Sequence, residues 1–298
     1  MARVLVTGGA GFIGSHLVEA LVGSGDDVVV FDDLSTGRAD NLAHVAGQVT
    51  FIVESVTNSR AVREAVEGCQ AVFHLAAVVS IQKCLEEPEF ARMVNIEGAA
   101  NVFGAARAQN ASMVFASSSA VYGESDERPR KETDPCLPCS PYGEHKLAGE
   151  QLAKGGVPLR FFNVYGPRQN PKSEYAAVIP RFVDMARSGR PLTIFGDGLQ
   201  SRDFVHVRDV VRALRLASCA ERHEPFNVGA GKSSTILQLA EMVQGAVGQR
   251  VPVEHRPARE GEIRHSAADV SKAAAILGFQ AQVDLEEGLA TLLETAAA

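Results

Sequence analysis

The chain has no tryptophan, only four tyrosines and only five cysteines among its 298 residues. The cysteines, at 69, 84, 136, 139 and 219, are too few and too scattered for a disulfide framework. Cys136 and Cys139 form a lone C-x-x-C. No second such pair and no paired histidines accompany it, so no metal site is expected, and the two stand as a redox pair or as ordinary thiols in a Pro-rich loop. No apolar run approaches the ~20 residues of a membrane span. The opening "MARVLVTGGAG" carries one basic residue, Arg3, and then breaks at glycines, which reads as a buried strand and a turn rather than a signal peptide. Positive charge is also scarce: the net charge is −7, which argues against a nucleic-acid-binding face. Linkers, low-complexity tracts and internal repeats are absent as well. These absences leave a cytoplasmic globular protein with neither membrane nor nucleic acid as partner.

What is present is an alternation. "RVLVTG" (3–8), "DVVVFDD" (27–33), "VTFIVES" (49–55), "AVFHLAA" (71–77), "SMVFASS" (112–118) and "PLRFFNV" (158–164) read as strands. Helical patterns lie between them at 12–25, 57–67, 86–109 and 141–154. That rhythm predicts an α/β fold, a doubly wound parallel sheet covered on both faces. After about residue 165 the rhythm changes, with Pro-rich and Gly-rich turns between shorter elements and helical patterns at 269–277 and 284–296. The division expected is a dinucleotide-binding domain over 1–165, taking back 204–228, and a smaller α/β substrate domain over 166–298, intertwined with it.

"VTGGAGFIGSH" places Gly9, Gly11 and Gly14 in G-x-G-x-x-G register, and Gly8, Gly11 and Gly14 in G-x-x-G-x-x-G spacing. The motif follows the first strand and opens the first helix, the context a dinucleotide site requires. Glycines let backbone N–H groups approach a pyrophosphate, and the helix N-terminus adds partial positive charge. Strand two ends at Asp32, 18 residues past Gly14. A carboxylate there accepts from ribose hydroxyls and repels a 2′-phosphate, which favours NAD over NADP.

"SPYGEHKLAGE" (140–150) carries Tyr142 and Lys146 four places apart, hence neighbours on one helix face. A surface stripe is the plain reading. The chemical reading is that the ammonium lowers the phenol's pKa and makes Tyr142 an acid/base. His74 and His206 sit inside apolar strands and read as core histidines; Lys232 in "GAGKSS" lacks the full phosphate-loop spacing.

Four separated motifs, "TGGAGFIG", "HLAA" (74–77), "SSSAVYG" (117–123) and Tyr142-x-x-x-Lys146, together resemble the extended short-chain dehydrogenase/reductases, specifically the nucleotide-sugar epimerases and dehydratases. Later segments are similar too: "RFFNVYGPRQ" (160–169), "IFGDGLQSRDFVHVRD" (194–209), "NVGAGKSST" (227–235) and "REGEIRHSAAD" (259–269). The resemblance implies NAD as cofactor and a UDP-sugar as substrate. It implies that Tyr142 is the acid/base, that Lys146 tunes it and holds the nicotinamide ribose, and that Ser118 hydrogen-bonds the reacting hydroxyl. Gly8, Gly11, Phe12, Ile13, Gly14, Asp32, Leu75, Ala77 and Asn95 then border the cofactor. Asn163, Arg202 and Arg259 hold the diphosphate and Glu262 the uridine ribose, with Ser80 and Ser119 near the substrate. A homodimer through the helices at 86–109 and 141–154 is implied as well.

Three departures bear on the reaction. Ser55 stands where the family has an acid after the third strand. Lys83 and Cys84 stand where Arg and Ser are more familiar. Ser119 and Ala120 replace the Asp–Glu pair of 4,6-dehydratases. The leading expectation is a 4-epimerase of UDP-GlcNAc or UDP-glucose working through C4 oxidation. The alternative is a dehydratase of the same substrate class, a 5,6-elimination above all, drawing an extra acid or base from Cys84, Lys83 or Glu124. A non-catalytic NAD-binding module is the distant third, since it has no need of Tyr142, Lys146 and Ser118. Ser266 falls where bulkier residues narrow the sugar pocket in related epimerases, so room for an acetamido group is expected.

Overall fold

The computed structural model describes residues 1–124, 128–170, 177–258 and 263–294. Its first part runs β1 (Arg3–Thr7), α1 (Phe12–Gly23), β2 (Asp27–Asp32), β3 (Val49–Val53), α2 (Ser59–Val66), β4 (Ala71–His74), α3 (Ile81–Glu86), α4 (Pro88–Arg92), a π-helical stretch (Met93–Gly98), α5 (Ala99–Ala108), β5 (Ser112–Ser118), α6 (Pro141–Leu152) and β6 (Val157–Phe161). The second part runs β7 (Asn163–Tyr165), α7 (Val178–Arg187), β8 (Leu192–Phe195), β9 (Ser201–His206), α8 (Val207–Ser218), β10 (Phe226–Val228), β11 (Ser233–Thr235), α9 (Ile236–Val247), β12 (Val253–Arg256), β13 (His265–Ser266), α10 (Ser271–Leu277) and α11 (Leu285–Glu294).

Seven parallel strands form the main sheet in the order β10-β6-β5-β4-β1-β2-β3. The apolar runs dictate this arrangement. Val28, Val29, Val30 and Phe31 of β2 are all fully buried, as a strand covered on both faces requires. One face packs on Leu17 and Val18 of α1 with Val210 and Leu214 of α8. The other packs on Val62 and Val66 of α2 with Val102 and Phe103 of α5. Strand order reverses at β1, which pairs with β2 on one side and β4 on the other, so the strand ends open a crevice there.

The stretch expected as one strand over 158–164 is two. β6 ends at Phe161 in the main sheet, and β7 begins at Asn163 beside β9. Phe162 is the hinge: its N–H donates to the Val228 carbonyl at 3.0 Å, and its ring is buried with Val121, Tyr122 and Ala268. Residue periodicity cannot reveal that the two halves of one strand-like run serve two sheets. β9 carries β11 and β13 on its flanks, and β8 pairs with β12. Asp203, fully buried on β9, accepts from Ala230 N–H at 2.6 Å, Gly231 N–H at 3.0 Å and Ala268 N–H at 3.1 Å, and so fastens three segments at one carboxylate.

Candidate active site

The glycine turn builds the first wall. Gly8 has φ +68°, in the left-handed region that favours glycine, and leads the chain from β1 into α1. α1 has no side-chain cap and no acid in its first turn, so its first N–H groups are free to face an anion. Gly8, Gly11, Phe12, Ile13 and Gly14 all line a cavity of about 600 Å³ at the crevice. Asp32, at the end of β2, lines it as well. Its Oδ2 accepts from Ala10 N–H and its Oδ1 from Leu34 N–H, each at 2.9 Å, and the Gly11 N–H also turns to it, which still leaves the carboxylate acceptor capacity for a ligand hydroxyl. Leu75 and Ala77, on the segment leaving β4, close the opposite wall. This cradle suits a dinucleotide: room for backbone at the helix N-terminus, and an acid at the next strand end.

Asn95 is placed differently from the expectation. It is buried in the π-helical stretch, and its amide is spent on the Val78 backbone, taking the N–H at 2.7 Å and giving to the carbonyl at 2.9 Å. It also meets His145 Nδ1 at 3.3 Å. Asn95 therefore shapes the wall from behind rather than lining the cavity.

Tyr142 and Lys146 line the same cavity from α6. Ser140 caps that helix by accepting from Gly143 N–H at 3.2 Å, and Pro141 begins it, which fixes where its first turn points. Ser118, at the end of β5, hydrogen-bonds to the Tyr142 hydroxyl and accepts from Ala120 N–H at 3.2 Å. Lys146 Nζ lies 5.7 Å from the Tyr142 ring centroid and donates to the Ala116 carbonyl at 2.7 Å. The electrostatics correct the simple expectation of an acidified phenol. Burial pushes Tyr142 up to about 12, and the Ser118 hydrogen bond pulls it back only in part. Burial also lowers Lys146 to about 8. In the free protein at neutral pH the pair is a phenol beside an ammonium, not a phenolate.

A second cavity, of about 470 Å³, adjoins the first; Val164 and Ala177 line both. Asn163 and Arg202 line this second one. Asn163 Nδ2 donates to the Asp203 carbonyl at 3.2 Å, and Arg202 Nη1 to the Ser201 carbonyl at 2.9 Å, so both side chains are held at the wall. Arg259 and Glu262 lie outside the described residues. Ser266 is half-buried on β13, opposite Arg202 in the register, and lines neither cavity.

The three extra acid/base candidates fare unequally. Lys83 lines the first cavity, with Nζ 5.1 Å from the Phe90 centroid. Cys84 is fully buried next to Tyr142 and Lys146, but its Sγ turns to the Val78 carbonyl at 3.7 Å and burial pushes the thiol up. Glu124 is exposed and lines neither cavity. Ser80 lines the first cavity and caps α3, accepting from Lys83 N–H at 3.1 Å; Ser119 opens a short turn and lines neither. His74 is buried against Thr7, with its Nδ1 2.7 Å from the hydroxyl, and burial lowers it to about 3. His206 caps α8, accepting from Arg208 N–H at 3.3 Å.

The structure adds residues that the motifs did not single out. Glu54, next to the Ser55 position, lines the first cavity. Arg168 lines it too, with φ +68°, and donates to Glu19 at 2.7 Å and to Ser15 at 3.3 Å on α1. It thereby bolts the loop after β7 onto the dinucleotide helix. Among the described residues no group of three His, Cys, Asp or Glu is placed to hold a metal ion, and no helix is long and apolar enough to cross a membrane.

A family model, the NAD dependent epimerase/dehydratase family, matches residues 4–229. The chain belongs to this family. It is 39% identical to a UDP-glucose 4-epimerase of Mycolicibacterium smegmatis, over 98% of this chain and 97% of that one. It is 34% identical to UDP-glucuronic acid decarboxylase 1 of Arabidopsis thaliana, over 96% of this chain and 68% of that one. Among solved structures, a UDP-N-acetylglucosamine 4-epimerase from Methanobrevibacter ruminantium, in complex with UDP-N-acetylmuramic acid, superimposes with a TM-score of 0.95 at 37% identity, covering 99% of this chain and 98% of that chain. The chain is thus an NAD-dependent enzyme of the nucleotide-sugar epimerase and dehydratase family, with the parallel Rossmann-type sheet of its relatives.

Proposed function

We propose that the chain is a UDP-sugar 4-epimerase acting on UDP-GlcNAc or UDP-glucose. The observation that carries this reading is the junction of the two cavities: Tyr142, hydrogen-bonded to Ser118, and Lys146 line the dinucleotide side, and Asn163 and Arg202 line the other. NAD, held at the α1 N-terminus and Asp32, supplies a reversible hydride acceptor at sugar C4. Tyr142 takes the proton of the C4 hydroxyl and later returns it. Ser118 orients that hydroxyl, and Lys146 supplies positive charge to the phenolate as it forms. Asn163 and Arg202, with Arg259 and Glu262, anchor the UDP, so the sugar alone is free to turn and present its other face.

A dehydratase needs a further acid and base near C5 and C6. Of the three candidates Cys84 is turned away into the protein and Glu124 stands outside, so Lys83 alone lines the cavity where elimination needs both an acid and a base, which weighs against that reaction. Room for an acetamido group is supported by the UDP-N-acetylmuramic acid bound to the related Methanobrevibacter ruminantium enzyme. The test is incubation with UDP-GlcNAc and with UDP-glucose in deuterated water, followed by NMR. The expected result is the C4 epimer with C5–H retained and UDP-GlcNAc processed at least as well as UDP-glucose. Loss of the original C5–H together with the 6-hydroxyl, whether C5 is left unsaturated or takes up deuterium, would mean elimination instead.

The same reading includes a homodimer formed by the helices at 86–109 and 141–154. Ala100, Gly104 and Ala108 lie one turn apart on the exposed face of α5, and small residues let a second helix approach closely. Light scattering at micromolar concentration should give twice the chain mass; a monomer alone would contradict it.

A further inference from the structure

Three consecutive residues of β5 grip one face of the helix that carries Tyr142. The Ala116 carbonyl receives Lys146 Nζ, Ser118 meets the Tyr142 hydroxyl, and Ser117 Oγ donates to Glu150 Oε1 at 2.5 Å. The last is a short charge-assisted hydrogen bond of the strong kind. Glu150 follows Lys146 by four residues and Tyr142 by eight, so all three share a face of α6. The helix lies close on the strand: a Cβ at Gly149 would stand 2.5 Å from the Phe115 ring.

Glu150 is more than a spacer. Arg160 on β6 clasps it bidentately, Nε to Oε1 at 2.9 Å and Nη2 to Oε2 at 2.8 Å, with both side chains only 5% exposed. Arg160 Nη1 goes on to the Tyr122 hydroxyl at 2.9 Å, which donates to Asn227 Oδ1 on β10 at 2.7 Å. Three strands of the main sheet, β5, β6 and β10, and the turn that carries Tyr122 are therefore locked to α6 through one carboxylate. A buried ion pair is poor evidence of stability in itself, because desolvation offsets its attraction, so another use must be sought.

That use lies one turn away. The titratable groups close enough to bias or be biased by Lys146 are His74 from β4, Cys84 from α3, and Tyr142, His145 and Glu150 from α6. Cys84 is a thiol kept neutral by burial, which leaves Glu150 as the carboxylate of the set. We propose that Glu150 is a positioning residue of the active site: held by Ser117 and Arg160, it fixes the register of α6 on β5 and keeps Lys146 charged beside Tyr142. The inference rests on Tyr142 being the acid/base, so Tyr142→Phe belongs in the same panel.

The test has one readout independent of turnover. In protein labelled with [13Cε]lysine, the Lys146 resonance is the one lost in Lys146→Arg, and its titration midpoint is expected near 8. Removing the pair as a unit, Glu150→Leu with Arg160→Met, spares the fold an uncompensated charge. It should move the Lys146 midpoint toward acid by a few tenths of a unit, because the carboxylate acts on Lys146 more strongly than the guanidinium removed with it. It should also lower kcat about tenfold with little change in KM, and shift the alkaline limb of kcat with the midpoint. Glu150→Asp keeps the charge and should leave the midpoint close to that of the parent protein. Ser117→Ala removes only the hydroxyl bond and should lower kcat several-fold at constant KM; it keeps the question open to test if the double variant does not fold. A double variant that loses only melting temperature, with the Lys146 midpoint unmoved, overturns the proposal, as does full kcat in Ser117→Ala. Retained turnover in Tyr142→Phe would instead strike the acid/base reading, whatever the lysine midpoint does.

Discussion

Tyr142→Phe should turn over at least ~10²-fold more slowly than the parent protein, the scale of lost general acid/base catalysis, with UDP-sugar affinity nearly unchanged. The substitution keeps the ring and deletes one hydroxyl. The ring contact with Lys146 and the packing of α6 on β5 survive, so the fold has no reason to suffer. Asn163 and Arg202 line the other cavity, so the contacts proposed for the diphosphate survive too. What disappears is the one atom that meets the Ser118 hydroxyl. The raised position of Tyr142, about 12 in the free protein, makes the requirement sharper. A phenol that high holds its proton at pH 7 and gives it up only when positive charge is brought to bear as the site fills. Lys146 is the protein's source of that charge, and its own lowered value of about 8 means the charge fades as pH rises through that point. Turnover should therefore decline on the alkaline side. Calorimetry for UDP-sugar binding and single-turnover kinetics separate the two effects. Near-full turnover in the variant would remove Tyr142 from the reaction.

The parts of the site that could be read from the sequence are those where one residue type has one physical use. Gly8, Gly11 and Gly14 follow a strand and open a helix; Tyr142 and Lys146 share a helix face; Asp32 ends the second strand. Spacing alone places these, because strand and helix periods are fixed. The parts that could not be read depend on contacts between distant segments. Nothing in "RFFNVYG" announces that Phe162 separates two sheets, since neither a glycine nor a proline breaks the run there. Cys84 falls beside the pair, as its position in the chain suggested, but only the fold shows the thiol turned to Val78. Asn95 was found as a residue near the cofactor, yet its amide serves a backbone segment. Glu54 carries no signal beside Ser55, because both lie just past the end of β3, where no strand period says which side chain faces the cavity. Glu150 lay in plain view at the end of "SPYGEHKLAGE". As one acid in a helix of mixed polarity it carried no signal until Arg160, from the next strand, was seen to meet it.

Gly14→Ala should abolish useful NAD binding, a loss beyond ~10²-fold, while Gly23→Ala on the same helix should be neutral or slightly stabilising. The two glycines open and close α1, and intrinsic helix preference favours alanine at both by about 1 kcal/mol. Their surroundings differ entirely. A Cβ at Gly14 would fall far inside contact distance of the Gly8 carbonyl oxygen, and 2.8 Å from both the Gly8 carbonyl carbon and Gly9 Cα. All of these are backbone atoms of the turn between β1 and α1, so no side chain can swing aside. At Gly23 nothing lies within 4 Å. Alanine at 14 must therefore push the helix away from the turn. Overpacking of this sort costs ~1–3 kcal/mol, and more where only backbone can yield. The cavity pays as well, because the N–H groups that face it belong to the displaced segment, and Ala10 in that turn also donates to Asp32. Both halves of the cradle move together. Titrating NAD into the apo forms of both variants, alongside their melting curves, checks this. If Gly14→Ala binds NAD as the parent does, the turn yields more easily than the backbone contacts allow, and the close packing of Gly14 on Gly8 is not what shapes the site.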